Sequence, residues 1–180
     1  LKDFPDNIDS RFYTNYLQNQ NILFQGDGLN RMLVINLPDK RVDYAPCMVI
    51  SNTCDIDTNH KRFFSSQITY APIIKLAKYQ KYIISKTDKT SKQIESHIDS
   101  IKKQEITQIF YLPKAGSLQD ESIVFLDRLN NHSNKSFSRE NLNEKKLFTL
   151  SDYGFYVFLI KLSIHFTRVQ EKVERKSLNT

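Results

Sequence analysis

Tryptophan is absent from this chain, cysteine occurs twice, glycine four times and proline five times. Two cysteines, Cys47 and Cys54, are too few for the disulfide framework of a small secreted domain, and they imply a reducing compartment. Scarce glycine and proline exclude collagen-like, linker-like and low-complexity classes. No segment repeats at solenoid periods. No stretch combines a basic start, an apolar run and a small-residue cleavage site. The longest apolar stretch, Phe155–Ile164, is too short and too interrupted to span a bilayer. These absences lead to the expectation of a soluble, cytoplasmic protein with no membrane partner.

What is present is enough for one domain with its own core. Apolar residues make up 39% of 180 residues, with twelve Phe and nine Tyr supplying volume. The formal net charge is +6, and it is unevenly placed. Residues 75–114 hold nine Lys against four acids, and 168–180 hold four basic residues against two acids. A localised basic patch attracts phosphates by counterion release. A solvated lysine-rich face is the plainer reading, because Lys is the less specific phosphate ligand.

Two strand-like runs, Arg31–Leu37 and Pro46–Ser51, flank a polar loop. Met32–Ile35 is almost continuously apolar and predicts burial on both faces. Ile22–Phe24, Gln67–Ile74, Gln108–Leu112 and Ser122–Leu126 read as further strands, with Pro72 placing the second of these at an edge or strand end. Residues 8–18 predict a first helix with Ile8, Phe12, Tyr16 and Leu17 on one face and Asp6 or Asn7 as cap. Residues 75–84 fit helix or strand. Ile94, Ile98 and Ile101 place a helix over 88–104, started by Asp88 or Thr90. Residues 130–146 are polar, a loop or short helix. The last element is a helix from Asp152 to about Lys172, capped by Ser151. Its Phe155, Leu159, Leu162, Phe166 and Val169 recur at helical spacing, and Gly154 implies a close contact. Short strands with one helical insertion and a terminal helix point to a small, mostly antiparallel β-barrel carrying helices.

The second strand runs into Ser51, Asn52, Thr53, Cys54, Asp55 and Asp57, and a rigid strand end is a common base for a site. Metal-free RNA cleavage needs a base for the 2′-hydroxyl, an acid for the leaving oxygen and a cation for the phosphate. Asp55, Asp57, His60 and Arg62 supply those types, and Arg128 supplies a second cation. The structural alternative is that Asp55 and Asp57 cap turns and Asp127 pairs with Arg128. Cys54 and Cys47 read as buried, inert thiols. The spacing of Cys47, Cys54 and His60 does not match a zinc site, so no metal or other cofactor is expected. Lys75, Lys78 and Lys81 with Tyr79 combine cations and an aromatic in the manner of single-strand binding. Tyr70 and Tyr111 read as core. His97, His132 and His165 read as surface residues, the last beside Lys161 on the polar side of the terminal helix. Gly26-Asp27-Gly28 is a turn without the glycines of a phosphate loop.

The order of motifs resembles the PemK/MazF-type toxins: QGDG at 25–28, MLVINL at 32–37, APCMVISN at 45–52, ITYAPI at 68–73, SIVFLDRL at 122–129 and FTLSDYGFYVFLIKL at 148–162. The resemblance covers about residues 24–165, with 75–106 inserted. It implies an α+β fold: an SH3-like β-barrel over about 22–130, with the helical insertion at about 86–105 and the C-terminal helix at about 151–172. It also implies a homodimer, a protein antitoxin as partner, and an endoribonuclease acting on single-stranded RNA in a bacterial or phage conflict system. Ala45 and Ile74 stand where the family carries an arginine and a hydroxyl. That departure keeps open a non-catalytic protein-interaction or regulatory module on the same barrel.

Overall fold

Side chains along β2 (Arg41–Val49) leave the strand alternately in opposite directions, and both sides find a core. Cys47 and Val49 enter one apolar cluster, while Met48 and the following Ile50 enter another. The computed structural model describes residues 11–18, 20–36, 41–59, 62–114 and 117–167. Among them the order is α1 (Asn15–Gln18), β1 (Gly28–Asn36), β2, α2 (Thr53–Ile56), β3 (Gln67–Lys75), α3 (Leu76–Lys86), α4 (Ser91–Lys102), β4 (Ile109–Leu112), β5 (Ser122–Phe125), β6 (Asn130–Ser133), α5 (Leu142–Lys145), β7 (Lys146–Phe148) and α6 (Asp152–Thr167). No helix among these residues is long and apolar enough to cross a membrane.

The fold is α+β, with a seven-stranded, antiparallel, open sheet ordered β4-β5-β3-β2-β1-β7. β6 also pairs with β3, so β5 and β6 follow one another along the same edge. Pro72 sits inside β3, not at its end. Ile50 N–H bonds Thr69 C=O, so by alternation Ala71 turns its polar groups to β2 and Pro72 turns away. It faces the break between the β6 and β5 ladders, where no N–H is needed. No ladder joins β1 to β6 among the described residues. Two side chains span that gap: the Tyr70 hydroxyl donates to Leu33 C=O, and Asn130 Oδ1 accepts from Ile35 N–H at 2.8 Å.

Several expectations are corrected. β1 is buried on one face only: Met32 and Val34 are in the core, but Leu33 and Ile35 are exposed. β2 begins at Arg41 and absorbs Val42–Tyr44. Ile22–Phe24 is not a strand, and among the described residues before β1 the helix is Asn15–Gln18. Phe12 lies fully buried in the core, and Tyr13 bridges to Leu150. Asp6, Asn7, Ile8, Leu37 and residues beyond Thr167, including Val169, lie outside the described residues. The ambiguous 75–84 stretch is helix α3. Thr90, not Asp88, starts α4 through a capping box with Gln93. The polar 130–146 stretch holds β6, α5 and the start of β7.

The insertion folds as a two-helix layer over β4 and β5, burying Leu76, Ile83, Ile94, Ile98 and Ile101 against Ile109, Ile123 and Phe125. Glu121 clamps its base, accepting from Lys102 Nζ at 3.0 Å and from the Tyr111 hydroxyl at 2.6 Å. Burial acts to raise this carboxyl, but the bonds from Lys102 and Tyr111 hold it below its ordinary value.

α6 turns a different face inward from the one its periodicity predicts. Gly154, Val157, Phe158 and Lys161 are buried, while Leu159 and Phe166 are exposed. A Cβ on Gly154 would stand 2.2 Å from the Phe12 carbonyl oxygen, so only glycine permits this approach. Ser151 caps the helix, its Oγ accepting from Gly154 N–H at 3.1 Å. Lys161, expected on the polar side, donates to the carbonyls of Gln104 and Ile106 just beyond α4. Those two bonds tie α6 to the segment that follows α4.

Burial holds the Lys161 ammonium down to about 8, against an ordinary 10.5. Between those values the unfolded chain binds more protons than the folded one, so this group makes stability rise with pH there. Relative to Lys161→Met, the wild-type protein should gain on the order of 3 kcal/mol between pH 8 and 10.5. Urea melts of both proteins across that range measure the difference. Parallel curves would refute a depressed lysine.

Asp27 and Lys146 form an ion pair at 3.0 Å with both side chains fully buried. Asp27 also accepts from Phe24 N–H at 2.9 Å and the Thr149 hydroxyl at 2.7 Å, and Lys146 Nζ lies over the Phe24 ring. Burial pushes the Asp27 carboxyl up, with the Lys146 charge opposing it. Asp27→Asn and Lys146→Met should each cost about 3–5 kcal/mol, because each strands a buried charge. The double variant should cost clearly less than the sum of the two. Equilibrium denaturation of the four proteins checks this, and additive losses would count against the pair.

Candidate nucleic-acid interface

The polar cluster after β2 is first of all a folding device. Ser51 Oγ accepts from Thr69 N–H at 2.7 Å, and Asn52 Oδ1 accepts from Cys54 N–H at 2.8 Å as the cap of α2. Thr53 Oγ1 accepts from Gln25 N–H at 3.0 Å, and Asp57 Oδ1 from Asn59 N–H at 2.9 Å. Ile56 is the buried anchor of the turn. Asp57 therefore caps a turn, as the structural alternative had it.

The other half of the site comes from the turn after β6. Asn134 is buried, and its Nδ2 donates to Ile56 C=O at 3.0 Å and Ser66 Oγ at 2.9 Å. Asn134 Oδ1 accepts from the Arg139 guanidinium, which also donates to the carbonyls of Ile56 (3.0 Å), Asn134 and Phe137 (both 3.3 Å). These acceptors are uncharged, so the guanidinium is fixed without losing its charge to them. Burial pushes Arg139 down from its ordinary value, and the Asp57 carboxylate opposes that. Between the two halves lies a cleft of about 440 Å³ lined by Asp57, Arg62, Phe63, Asn134, Lys135 and Arg139, among others. Asp55 lies beside it, bound to Arg62 at 2.6 Å. Phe63 and the neighbouring Phe64 are almost wholly exposed.

The structure thus brings together Asp55, Asp57 and Arg62 and adds Lys135, Arg139 and Phe63. His60 lies outside the described residues. Arg128 does not line the cleft. Its guanidinium lies 4.6 Å from the Phe125 ring on the insertion side, and its charge acts on Tyr79. Lys75 is paired with Asp120 at 2.6 Å, and Lys78 and Lys81 are exposed on α3. Tyr79 is not presented for stacking: its ring packs edge-on against Phe125, and its hydroxyl lies 3.1 Å from His97 Nε2. His97 is correspondingly half-buried, and burial with Lys89 lowers it from its ordinary value. Cys54 is exposed, contrary to expectation. Cys47 is buried, and burial pushes its thiol up to about 12. Among the described residues no group of three or more His, Cys, Asp or Glu converges as a metal site would require.

The sequence reading missed Lys135 and Arg139, which lie about seventy residues from the loop they complete. Compared with known proteins, the chain matches no family model and no curated relative.

Asn134→Ala removes the donor shared by the carbonyls and hydroxyl of the 55–66 loop and the acceptor that positions Arg139. It should cost about 1–3 kcal/mol and speed amide exchange in the 53–66 loop more than in β4 and β5. Hydrogen exchange measures both, and a uniform change across the chain would argue against a local clamp.

Proposed function

We propose that this chain binds single-stranded RNA in the cleft between the α2–β3 loop and the β6–α5 turn. The observation that carries the reading is the joining of three cations, Arg62, Lys135 and Arg139, with the exposed rings of Phe63 and Phe64. Cations follow a phosphate backbone, and exposed rings stack on unpaired bases of any sequence. The exposed Lys78 and Lys81 extend the positive field along α3.

The reading extends to metal-independent cleavage of the kind made by the PemK/MazF-type endoribonucleases that the chain resembles. Asp57 beside Arg139 and Arg62 gives a proton acceptor for a 2′-hydroxyl next to cations for the phosphate. Arg128 has no part in this site, and Ala45 and Ile74 lack the family's arginine and hydroxyl. A second reading, a protein-interaction module, is favoured by the outward face of α6, where Tyr156, Leu159 and Phe166 are exposed.

Labelled single-stranded RNA incubated with the protein, with and without EDTA, separates these readings. The expected result is salt-dependent binding, weakened at least about tenfold by Arg62→Ala with Lys135→Ala, and with a shallower salt slope. Cleavage that survives EDTA and is lost in Asp57→Ala supports the enzyme. Wild-type protein that leaves RNA unbound across varied sequences overturns the reading in favour of the interaction module.

A further inference from the structure

Arg62 lines the cleft, but its charge is already answered from beside it. Its Nη2 donates to Asp55 Oδ1 at 2.6 Å and to the Cys54 carbonyl at 3.4 Å, both on α2. Asp55 itself does not line the cleft. The other two cations differ. Arg139 donates to carbonyls and to the Asn134 side chain, all uncharged, and Lys135 is exposed.

The atom that Asp55 holds is the one an anion needs. A guanidinium grips an oxyanion bidentately through Nη1 with Nη2 or through Nε with Nη2. Nη2 belongs to both forks. Its hydrogens go to Asp55 and Cys54, so neither fork is open toward the cleft.

Asp55 also stands on a fixed base. Its carbonyl accepts from Ser66 Oγ at 2.6 Å and from Asn134 Nδ2 at 3.3 Å. The clamp that positions Arg139 thus holds Asp55 in place beside the cleft. The Asp55 carboxylate is not needed as a cap, because α2 takes its cap from Asn52.

We propose that Asp55 is a latch on the RNA site, a built-in competitor that a backbone phosphate must displace before it can engage Arg62. This rests on the RNA reading of the cleft, and it gives Asp55 a task other than acid or base. Two anions exchange on one cation, so undoing the pair offsets part of the attraction for RNA. With side chains 44% and 50% accessible, the pair is worth roughly two- to fivefold in an equilibrium. A strand held by Lys135 and Arg139 can open a latch of that strength. The freed carboxylate then takes up a cation from solution, which cancels one of the counterions that the strand releases.

Titrations of a labelled single-stranded RNA over a range of salt test this. Asp55→Asn keeps the shape and removes the charge. It should tighten binding about threefold and steepen the salt slope by about 0.7, the share of one phosphate on a single strand. On an Arg62→Ala background the same substitution should change neither. Asp55→Ser should act as Asp55→Asn does and serves if that variant folds poorly. Phenylglyoxal labelling without RNA, read by peptide mass spectrometry, should modify Arg62 faster in Asp55→Asn than in wild type, with Arg31 as the internal reference. Binding that is unchanged or weakened in Asp55→Asn overturns the latch and leaves the cleft reading in place. So does a gain that persists without Arg62, which would be plain repulsion, or an unchanged rate of Arg62 labelling. RNA left unbound by the wild type and by Asp55→Asn alike overturns the cleft reading and the latch with it.

Discussion

The buried Asp27–Lys146 pair is the constraint from which the site is built. Two charges with no solvent contact gain little net stability, because desolvation offsets their attraction. What they fix is position. Asp27 holds Phe24 N–H, the Thr149 hydroxyl and Lys146 at once, so the turn before β1 is tied to the segment before α6. The same turn exchanges backbone bonds with Val49, at the end of β2. Its Gln25 bonds Thr53 through its N–H and Ile50 C=O through its side chain. A core interaction thereby reaches α2 in two steps, and α2 leads into the loop carrying Asp57 and Arg62.

The sheet was legible where burial followed a simple period. β2, β3, β4 and β5 were found because apolar residues mark at least one buried face of each. β1 was misread because its hairpin extends past the core: an apolar run predicts burial only where something covers it. α6 was misread in phase, since a helix apolar on nearly every side defines no face by itself. There the decision fell to Gly154, whose missing Cβ admits the Phe12 carbonyl, and to the carbonyls of Gln104 and Ile106 after α4, to which Lys161 donates. β6 and β7 were missed because Asn-Asn-His-Ser has no apolar alternation, and because a lysine starting a strand looks exposed until its carboxylate partner is known.

The candidate site divides along a similar line. The residues after β2 were visible as a cluster, but their type did not reveal their task. Ser51, Asn52 and Thr53 spend their polar atoms folding the loop, and of the acid, base and cation candidates among the described residues Asp57 and Arg62 line the cleft. Lys135 and Arg139 sit in SNKSFSRE, a stretch with no distinguishing pattern. Their role depends on β6 pairing with β3, which sets the turn after β6 against α2, and on Asn134, which reaches the carbonyls there. Long-range pairing of that kind is not carried by local spacing. Arg128 shows the converse: it ends a strand near the site in sequence, yet it faces the insertion.

The open side of the sheet follows from how β1 meets its surroundings. A ladder between β1 and β6 would satisfy the outer edge of β1 with backbone groups and draw the hairpin inward. Here the Tyr70 hydroxyl and the Asn130 amide satisfy Leu33 C=O and Ile35 N–H instead. Two side-chain bonds meet the polar requirement of that edge without fixing a strand pairing along it. The hairpin can then project, and Leu33, Ile35, Val42 and Tyr44 remain outside the core although the sequence around them is that of a buried strand. Exposed cross-strand pairs of this size are stable on a monomer only if water is tolerated over all of them.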